Sequence, residues 1–275
     1  MPELPETETI ARDLQRALAG ARITGVTVTH ADVLRETTPS KLRRALTGAT
    51  IERCWRRAKL VVLDLSTGNR LVVQPRFTGA LLIDAGSLPE RERAYSTLLL
   101  NLADGRALHY RDIRRLGTVT LMSPERWARH AARLGVEALD AAFTVTHLSG
   151  ALRGSSQAVK KLVMDQRRIA GLGNIYANEA LWRAGIDPSR AGRAIRANEV
   201  ARLHASIVGV LREAIEARGT SFRDYRDASG ERGSFAARLD VYGRGGEACH
   251  RCGGRLVATD VIDGRATVLC PRCQR

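Results

Sequence analysis

Four cysteines near the C-terminus form two pairs whose spacing suits a metal ion. Cys249 and Cys252 make one Cys-x2-Cys turn, and seventeen residues separate it from a second turn made by Cys270 and Cys273. Two such turns can present four thiolates to one tetrahedral Zn²⁺. Because sulfur would fill all four positions, the ion would be structural rather than catalytic. Residues 241–275 are too few to bury a stable core, so we expect the metal to supply folding energy.

Two other residues bear on this interpretation. His250 lies between the paired cysteines and is a competing ligand, although we expect its side chain to be exposed. Cys54 is distant from the four in the sequence and is expected to be a small core residue beside a strand. We therefore expect one structural zinc ion and no organic cofactor.

The opposite end of the chain concentrates prolines and acids. The first eight residues read MPELPETE, with carboxylates at Glu3, Glu6 and Glu8. Taken alone, such a stretch is typical of a stiff, solvated tail. It has no basic segment followed by an apolar one, so it does not predict a secretory signal peptide.

The charge balance is strongly basic. The 275 residues include 44 lysines and arginines against 29 aspartates and glutamates, which gives a net charge of +15. This excess predicts a polyanionic partner, with nucleic acid first; a basic protein without such a partner is the alternative. No apolar run approaches the roughly 20 residues of a membrane span, so we expect a cytoplasmic protein with no membrane partner.

The hydrophobic pattern predicts the elements that must position these residues. Apolar residues at four-residue spacing predict a helix over 6–19, and Gly20 is placed to end it. Residues 22–122 have the pattern of strands, with hairpin turns expected at Gly68-Asn69 and Asp104-Gly105.

The middle of the chain has the pattern of helices. Ser123-Pro124 is a helix start, with proline at the first helical position. Between Asn198 and Gly219 the apolar residues share one face, with Asn198 placed as the cap and Gly219 placed to close the helix. A polar, glycine-containing loop covers 227–234.

Five segments occur in a fixed order along the chain: PELPETE at the start, RRAK at 56–59, GLGNIYANEALWRAGI at 171–186, VYGRGGEAC at 241–249, and the four-cysteine module. Together they resemble the formamidopyrimidine-DNA glycosylase / endonuclease VIII family of bacterial base-excision repair enzymes, from residue 2 to residue 274. The segment 220–244 is similar to the formamidopyrimidine branch, in which this loop covers a flipped oxidised purine.

The resemblance implies an active site at the N-terminus. In the family the initiator methionine is removed, and the amine of Pro2 displaces the damaged base from C1′ and forms a Schiff base. A free α-amine has a pKa of about 8, so part of it is unprotonated near neutral pH. Glu3 matches the catalytic carboxylate, and Glu6 matches a second acid near the amine. Proton transfers at the sugar and the departing base require such groups.

Contacts to DNA phosphate follow from the same resemblance. Lys59 matches the hairpin lysine that contacts phosphate near the lesion, and Arg265 matches the finger arginine that grips the phosphates around the flipped nucleotide; both join the catalytic set. Asn174 matches the asparagine that holds backbone phosphate. We expect Lys160 to add a further phosphate contact.

The resemblance also implies base flipping, in which the extruded nucleotide leaves a gap that the protein fills. The family uses a methionine, an arginine and a phenylalanine. Arg114 matches the arginine, whereas Phe77 stands where methionine is usual and Leu116 where phenylalanine is usual. QPRFTG at 74–79 also departs from the usual HLGMSG. These departures leave the opposite-base preference and the lesion range open.

The implied fold is α+β. We expect an N-terminal β-sandwich domain with an N-terminal helix over 1–122 and a helical helix–two-turn–helix domain over 123–226. A loop and linker over 227–240 then leads to a four-cysteine zinc finger over 241–275.

The implied function is a bifunctional DNA glycosylase and AP lyase. It would remove 8-oxoguanine and formamidopyrimidines from double-stranded DNA and then cut the strand by β,δ-elimination, as a monomer at the bacterial nucleoid. One alternative is an endonuclease VIII-like enzyme for oxidised pyrimidines. Another is a non-catalytic protein that binds damaged DNA on the same scaffold.

Overall fold

Two separate stretches of the chain, residues 1–132 and 215–236, build the N-terminal unit of the computed structural model. The C-terminal unit consists of 133–214 and 237–275. The structure describes residues 2–222 and 224–275. The domain limits expected from the sequence differ from these units and stay predictions. Among the described residues, no helix combines the length and the apolar character needed to cross a bilayer.

The N-terminal unit contains two antiparallel sheets. In the first the strand order is β1-β6-β7-β5, and in the second it is β2-β3-β4-β8. The hairpins expected at Gly68-Asn69 and Asp104-Gly105 are confirmed as the β3–β4 and β6–β7 connections. The elements in chain order are α1 (Leu4–Leu18), β1 (Ile23–Val28), α2 (Pro39–Leu46), β2 (Ile51–Arg57), β3 (Leu60–Leu65), β4 (Arg70–Gln74), β5 (Gly79–Asp84), α3 (Glu90–Arg93), β6 (Ser96–Leu102), β7 (Ala107–Asp112), β8 (Thr118–Met122) and α4 (Pro124–Ala131).

Helix α1 begins at Leu4, two residues before its predicted start, and ends at Leu18. Gly20 follows it in the left-handed conformation (φ 84°), which a glycine adopts without the strain of a Cβ. The apolar stripe of α1 is fully buried and shares one hydrophobic cluster with both sheets and α2. This shared core confirms the β-sandwich with an N-terminal helix.

The C-terminal unit is mainly helical and ends in a small hairpin. A short parallel pair, β9 with β10, lies among the helices, and β11 pairs antiparallel with β12. Its elements are β9 (Val136–Glu137), α5 (Val145–Leu152), α6 (Val159–Met164), β10 (Ile169–Ala170), α7 (Asn174–Ala184), α8 (Ala197–Glu216), β11 (Val257–Thr259) and β12 (Thr267–Leu269). Short 3-10 helices span Ala31–Val33, Gly192–Ala194 and Phe235–Arg238.

The predicted ends of α8 are wrong by small amounts. The helix begins at Ala197, so Asn198 lies inside its first turn and is not the cap. The Glu199 carboxylate instead accepts a hydrogen bond from the backbone N–H of Arg196 at 2.8 Å. At the other end, Arg218 already adopts a left-handed conformation (φ 59°), one residue before the predicted Gly219.

The segment 217–236, which we call the returning segment, is fastened by the buried carboxylate of Asp227. One Asp227 oxygen accepts the backbone N–H groups of Ser229 (3.0 Å) and Glu231 (2.9 Å). The other accepts Nε of Arg218 at 2.9 Å, and the same guanidinium reaches Asp13 of α1 at 2.5 Å. The ion pairs therefore hold the returning segment against α1.

Asp227→Asn tests this attachment because it keeps the side-chain shape and removes the charge that faces Arg218. Hydrogen bonds to charged groups contribute about 1.5–3 kcal/mol, so we expect the free energy of unfolding to fall by about 1–3 kcal/mol. Urea denaturation measures the change. As a control, Glu231→Gln removes an exposed carboxylate from the same segment and should change stability by less than about 0.5 kcal/mol. Equal losses in the two variants would contradict the attachment.

Candidate active site and nucleic-acid interface

The acid at the centre of the N-terminal candidate site is Glu6, in the first turn of α1. Its side chain is almost fully buried, as are Pro2 and Glu3. One Glu6 oxygen accepts the backbone N–H of Glu3 at 2.7 Å, and the other accepts the backbone N–H of Thr220 at 2.8 Å. Glu6 therefore connects the backbone next to Pro2 with the returning segment.

Close packing surrounds this connection. A Cβ added to Gly219 would lie 2.9 Å from a carboxylate oxygen of Glu6, so only glycine fits there. The Tyr225 hydroxyl donates to the carbonyl of Glu6 at 3.4 Å. Burial, together with the negative charge of Glu6, raises the pKa of Tyr225 well above its ordinary value. Thr220 and Tyr225 were not singled out from the sequence, because spacing does not relate residues more than 200 positions apart.

The turn that carries Lys59 lies against the start of α1. The Thr7 hydroxyl donates to the carbonyl of Glu3 at 2.7 Å and lies 3.5 Å from the carbonyl of Ala58. Ala58 has a left-handed backbone (φ 52°) at the bend between β2 and β3. The structure therefore brings Lys59, Glu3 and Glu6 into one region of the N-terminal unit.

An ion pair reinforces the position of this turn. Nε of Arg56 donates to the Glu8 carboxylate at 2.7 Å, and the Arg56 guanidinium also donates to the carbonyl of Ala58 at 3.0 Å. Burial raises the pKa of Glu8, but the charges and hydrogen bonds of Arg56 and Arg12 outweigh it, so the pKa lies below its ordinary value. Glu8 is therefore a carboxylate that fixes the turn.

The candidate wedge residues Phe77, Arg114 and Leu116 lie on two exposed loops. The Arg114 guanidinium stands over the Phe77 ring, 5.3 Å from its centroid, within the range of a cation–π contact. The Phe77 and Leu116 side chains are 47% and 39% exposed. Large apolar side chains at this exposure are available to a partner.

Buried Asp112 ties the two loops together, and the sequence did not identify it. Its carboxylate accepts the Thr78 hydroxyl from the first loop and the backbone N–H of Gly117 (2.8 Å) from the second. Thr78 in turn accepts the backbone N–H of Arg114 at 3.0 Å. The two loops are therefore fixed relative to each other in the N-terminal unit.

In the C-terminal unit, Asn174 is the first residue of α7. The loop before it is shaped by Gln166, whose side chain accepts the N–H of Gly171 (2.9 Å) and donates to the carbonyl of Leu172 (2.7 Å). Gly171 adopts a left-handed conformation (φ 93°). The N-terminus of a helix after such a loop attracts anions, which agrees with the role implied for Asn174.

Arg265 lies in the connection between β11 and β12. Its side chain is 48% exposed, and its Nε is 3.7 Å from the carboxylate of Asp263. Because this ion pair is long and exposed, it holds the guanidinium weakly. Arg265 is therefore available to a phosphate.

The expected phosphate contact of Lys160 does not fit the structure. Its side chain is only 1% exposed, and its ammonium donates to the carbonyl of Ala266 (2.9 Å) and the hydroxyl of Thr267 (2.7 Å). A buried ammonium must have such acceptors, because an unpaired buried charge is costly. Lys160 therefore holds the finger from within rather than facing a ligand.

The four cysteines meet in one cluster. Their sulfur atoms all lie within 4.8 Å of one another, with 4.0 Å between Cys249 and Cys273 and 3.5 Å between Cys252 and Cys270. Four sulfurs about 2.3 Å from a tetrahedral Zn²⁺ would be about 3.8 Å apart, so the cluster fits one structural zinc ion. Zinc would supply folding energy to the finger and no reaction chemistry.

The thiols of the cluster differ in pKa, and His250 and Cys54 lie outside the cluster. Burial raises the pKa of Cys270 and that of Cys273, whereas at Cys249 the backbone N–H groups of Arg251 and Cys252 outweigh burial and bring the pKa to about 6. His250 is exposed and contacts Asp240 at 3.1 Å, so it is not a member of the cluster. Cys54 is buried in the sandwich core, as expected.

Family profiles match most of the chain. The formamidopyrimidine-DNA glycosylase N-terminal domain matches residues 1–119, the H2TH domain of that enzyme matches 134–226, and the zinc finger found in FPG and IleRS matches 246–275. A glycosylase domain, a helix–two-turn–helix domain and a zinc finger define a DNA-repair class of protein.

Curated relatives and solved structures agree over the whole length. Formamidopyrimidine-DNA glycosylases of Pelotomaculum thermopropionicum and Heliobacterium modesticaldum are 40% and 42% identical, covering all of this chain and 99% and 100% of theirs. A mutant Lactococcus lactis Fpg bound to Fapy-dG DNA superimposes with a TM-score of 0.92 at 32% identity, over 100% of both chains. The complex of Lactococcus lactis Fpg with abasic-site DNA gives a TM-score of 0.91 at 31% identity, over 99% of both chains. The chain belongs to the formamidopyrimidine-DNA glycosylase family.

Removing one ligand tests the metal site. Cys252→Ser should lower the zinc content from one ion per chain to near zero, because a hydroxyl is a poor substitute for a thiolate. Elemental analysis of the purified protein measures the ratio. Cys54→Ala, at the cysteine outside the cluster, should keep one zinc per chain. Full zinc retention in Cys252→Ser would contradict the four-sulfur site.

Proposed function

We propose that this protein is a bifunctional DNA glycosylase and AP lyase that removes 8-oxoguanine and formamidopyrimidines from double-stranded DNA. The observation that carries the proposal is the buried arrangement of Pro2, Glu3 and Glu6, with Glu6 held by the returning segment. Full-length similarity to proteins named formamidopyrimidine-DNA glycosylase supports it.

The proposed chemistry begins at Pro2 after Met1 is removed. The secondary amine attacks C1′ and gives up its own proton, the N-glycosidic bond breaks, and the base leaves with a proton. The sugar ring then opens as its oxygen gains a proton, which leaves an iminium between Pro2 and C1′. The iminium draws electrons from C2′, so loss of a C2′ proton expels the 3′ phosphate, and a second elimination, which removes a C4′ proton, expels the 5′ phosphate.

Of the two acids next to Pro2, Glu3 is suited to the proton transfers and Glu6 to positioning. Glu3 follows Pro2 directly and serves as the carboxylate that exchanges protons with the sugar. Glu6 has both oxygens engaged by backbone N–H groups, from Glu3 and from Thr220. Glu6 therefore serves to orient the Pro2–Glu3 backbone and the segment that would face the base.

The phosphate contacts are assigned to side chains from both units. Lys59, on the turn fastened to α1, would contact phosphate near the lesion. Asn174 and Arg265, in the C-terminal unit, would hold backbone phosphates around the flipped nucleotide. The net charge of +15 supports a DNA partner, and neutralising several phosphates makes binding strongly dependent on salt.

The lesion range is the part of the proposal that the wedge loops affect most. Phe77 and Leu116 would enter the gap left by the flipped nucleotide, while Arg114 would face the base opposite. A solved complex of Lactococcus lactis Fpg is described as holding oxidised-pyrimidine DNA, so thymine glycol belongs in a lesion panel beside 8-oxoguanine. Faster removal of thymine glycol would favour the endonuclease VIII-like alternative.

We place the protein in the bacterial cytoplasm, at the nucleoid and as a monomer.

Borohydride trapping tests the nucleophile. The Schiff base with abasic or 8-oxoguanine duplex should be reduced to a covalent adduct, and Pro2→Gly should slow its formation by more than about 100-fold. Pro89→Gly, at an exposed proline before α3, is the matched control and should trap normally. Protein that retains Met1 should bind DNA without forming the adduct. If the wild-type protein gives no adduct with either substrate, the enzymatic proposal is wrong, and a non-catalytic binding protein remains.

Substitution of Arg114 and of its neighbour Arg115, on the loop that also carries Leu116, tests base flipping. Arg114→Ala should lower single-turnover excision of 8-oxoguanine from duplex DNA by about tenfold or more, because flipping costs a few kcal/mol. Cleavage at an abasic site, which has no base to extrude, should fall less. Arg115 contacts Asp32 and His30 instead of Phe77, so Arg115→Ala is the control and should stay near wild type. Equal losses in both variants would contradict the wedge role.

A further inference from the structure

We propose that Lys160 is a positioning residue that acts through Arg265: its buried ammonium fixes the peptide groups that follow Arg265 and so sets where that guanidinium reaches. The inference rests on the proposed function, in which Arg265 holds DNA phosphate. It replaces the direct phosphate contact expected from the sequence.

The hydrogen bonds run from Lys160 to the backbone of Arg265. The ammonium donates to the carbonyl of Ala266 at 2.9 Å and to the hydroxyl of Thr267 at 2.7 Å. With its own proton, the Thr267 hydroxyl donates to the carbonyl of Arg265 at 3.0 Å. Two consecutive carbonyls, those of Arg265 and Ala266, are therefore held by one ammonium, directly or through one hydroxyl.

Helix α7 holds the next part of the same hairpin. Asn174 and Asn178 donate to the carbonyl of Ala266, at 3.0 Å and 3.4 Å. The Asn178 side chain also accepts the backbone N–H of Val268 at 2.8 Å. Because Asn174 and Asn178 are one helical turn apart, the start of α7 and Lys160 of α6 converge on one stretch of backbone.

Burial separates Lys160 from its neighbour. Lys160 is 1% exposed and Thr267 is fully buried, whereas the Lys161 side chain is 47% exposed and lies 3.2 Å from Asp263. Burying an ammonium is costly unless its protons are accepted, so the carbonyl and hydroxyl around Lys160 form a fixed set of partners. Lys161 is the lysine of this pair that solvent reaches.

This anchoring matters because the described part of the chain gives the Arg265 side chain one weak ion pair. Its contact with Asp263 is long and exposed, so the position of its backbone decides which phosphates the guanidinium can approach. Displacement of a binding group by about 1 Å can lower a rate by about 100-fold. Loosening residues 265–267 should therefore weaken the same step that loss of Arg265 weakens.

Lys160→Met tests the proposal, with Lys161→Met as the matched control. Hydrogen exchange followed by mass spectrometry should show faster exchange in residues 262–269 for Lys160→Met and no change for Lys161→Met. Zinc content should stay at one per chain in both. Single-turnover strand cleavage at an abasic site should fall by about tenfold or more in Lys160→Met only. Unchanged exchange in that variant would overturn the proposal. Thr267→Val removes the bridging hydroxyl without a charge change and should give a smaller loss in the same direction if Lys160→Met folds poorly.

A double variant separates positioning from direct contact. In protein that already carries Arg265→Ala, adding Lys160→Met should change cleavage by less than about twofold, because the side chain it positions is absent. The salt dependence of DNA binding should also stay the same in that background. Two results would show that Lys160 contacts phosphate itself. One is a further loss of cleavage as large as in the Lys160→Met single variant, and the other is a reduction by about one in the slope of the logarithm of the binding constant against the logarithm of the salt concentration. If wild-type protein forms no adduct, the proposed function fails, and the exchange measurement still decides whether Lys160 anchors the hairpin.

Discussion

The buried carboxylate of Glu6 is the interaction on which the N-terminal unit depends most. It joins the backbone next to Pro2 to the backbone of Thr220, and it does so without exposure to water. A buried charge is stable only when donors surround it, so both partners must be in place. The position of Pro2 and that of the returning segment therefore depend on each other. Gly219, which has no Cβ, permits the returning segment to approach the Glu6 side chain closely.

The C-terminal unit is organised around one helix, α7. Asn174, Asn178 and Trp182 are spaced by four residues and lie along one side, toward the finger. Beside them, the Glu179 carboxylate accepts three consecutive backbone N–H groups from Asp240 to Tyr242, although burial still raises its pKa. The finger is therefore held by polar side chains of α7 in addition to its cysteines.

Sequence patterns predicted the features that depend on neighbours in the chain. The paired cysteines, the hairpins at Gly68 and Gly105, and the apolar stripe of α1 all have short-range signals, and each was found where expected. The resemblance to a family supplied the roles proposed for Pro2 and Arg265, which composition alone does not indicate.

The features that the sequence did not predict depend on contacts between residues far apart in the chain. The bond from Thr220 to Glu6 spans 214 positions, and the tie from Asp112 to Thr78 joins two loops with no common motif. The burial of Lys160, for which a phosphate contact was expected, has no short-range signal in the sequence, since lysine is seldom fully buried. Only the hydroxyl and carbonyl brought by the finger make its burial possible.

The origin of the N-terminal unit from two stretches, 1–132 and 215–236, has a consequence for biosynthesis. A ribosome releases the chain from its amino end, so Glu6 emerges long before Thr220 can donate to it. More than 80 intervening residues must be synthesised after the sandwich strands before the returning segment can enclose the backbone around Pro2. The surroundings of Pro2 are thus completed late, after most of the 275 residues have been made.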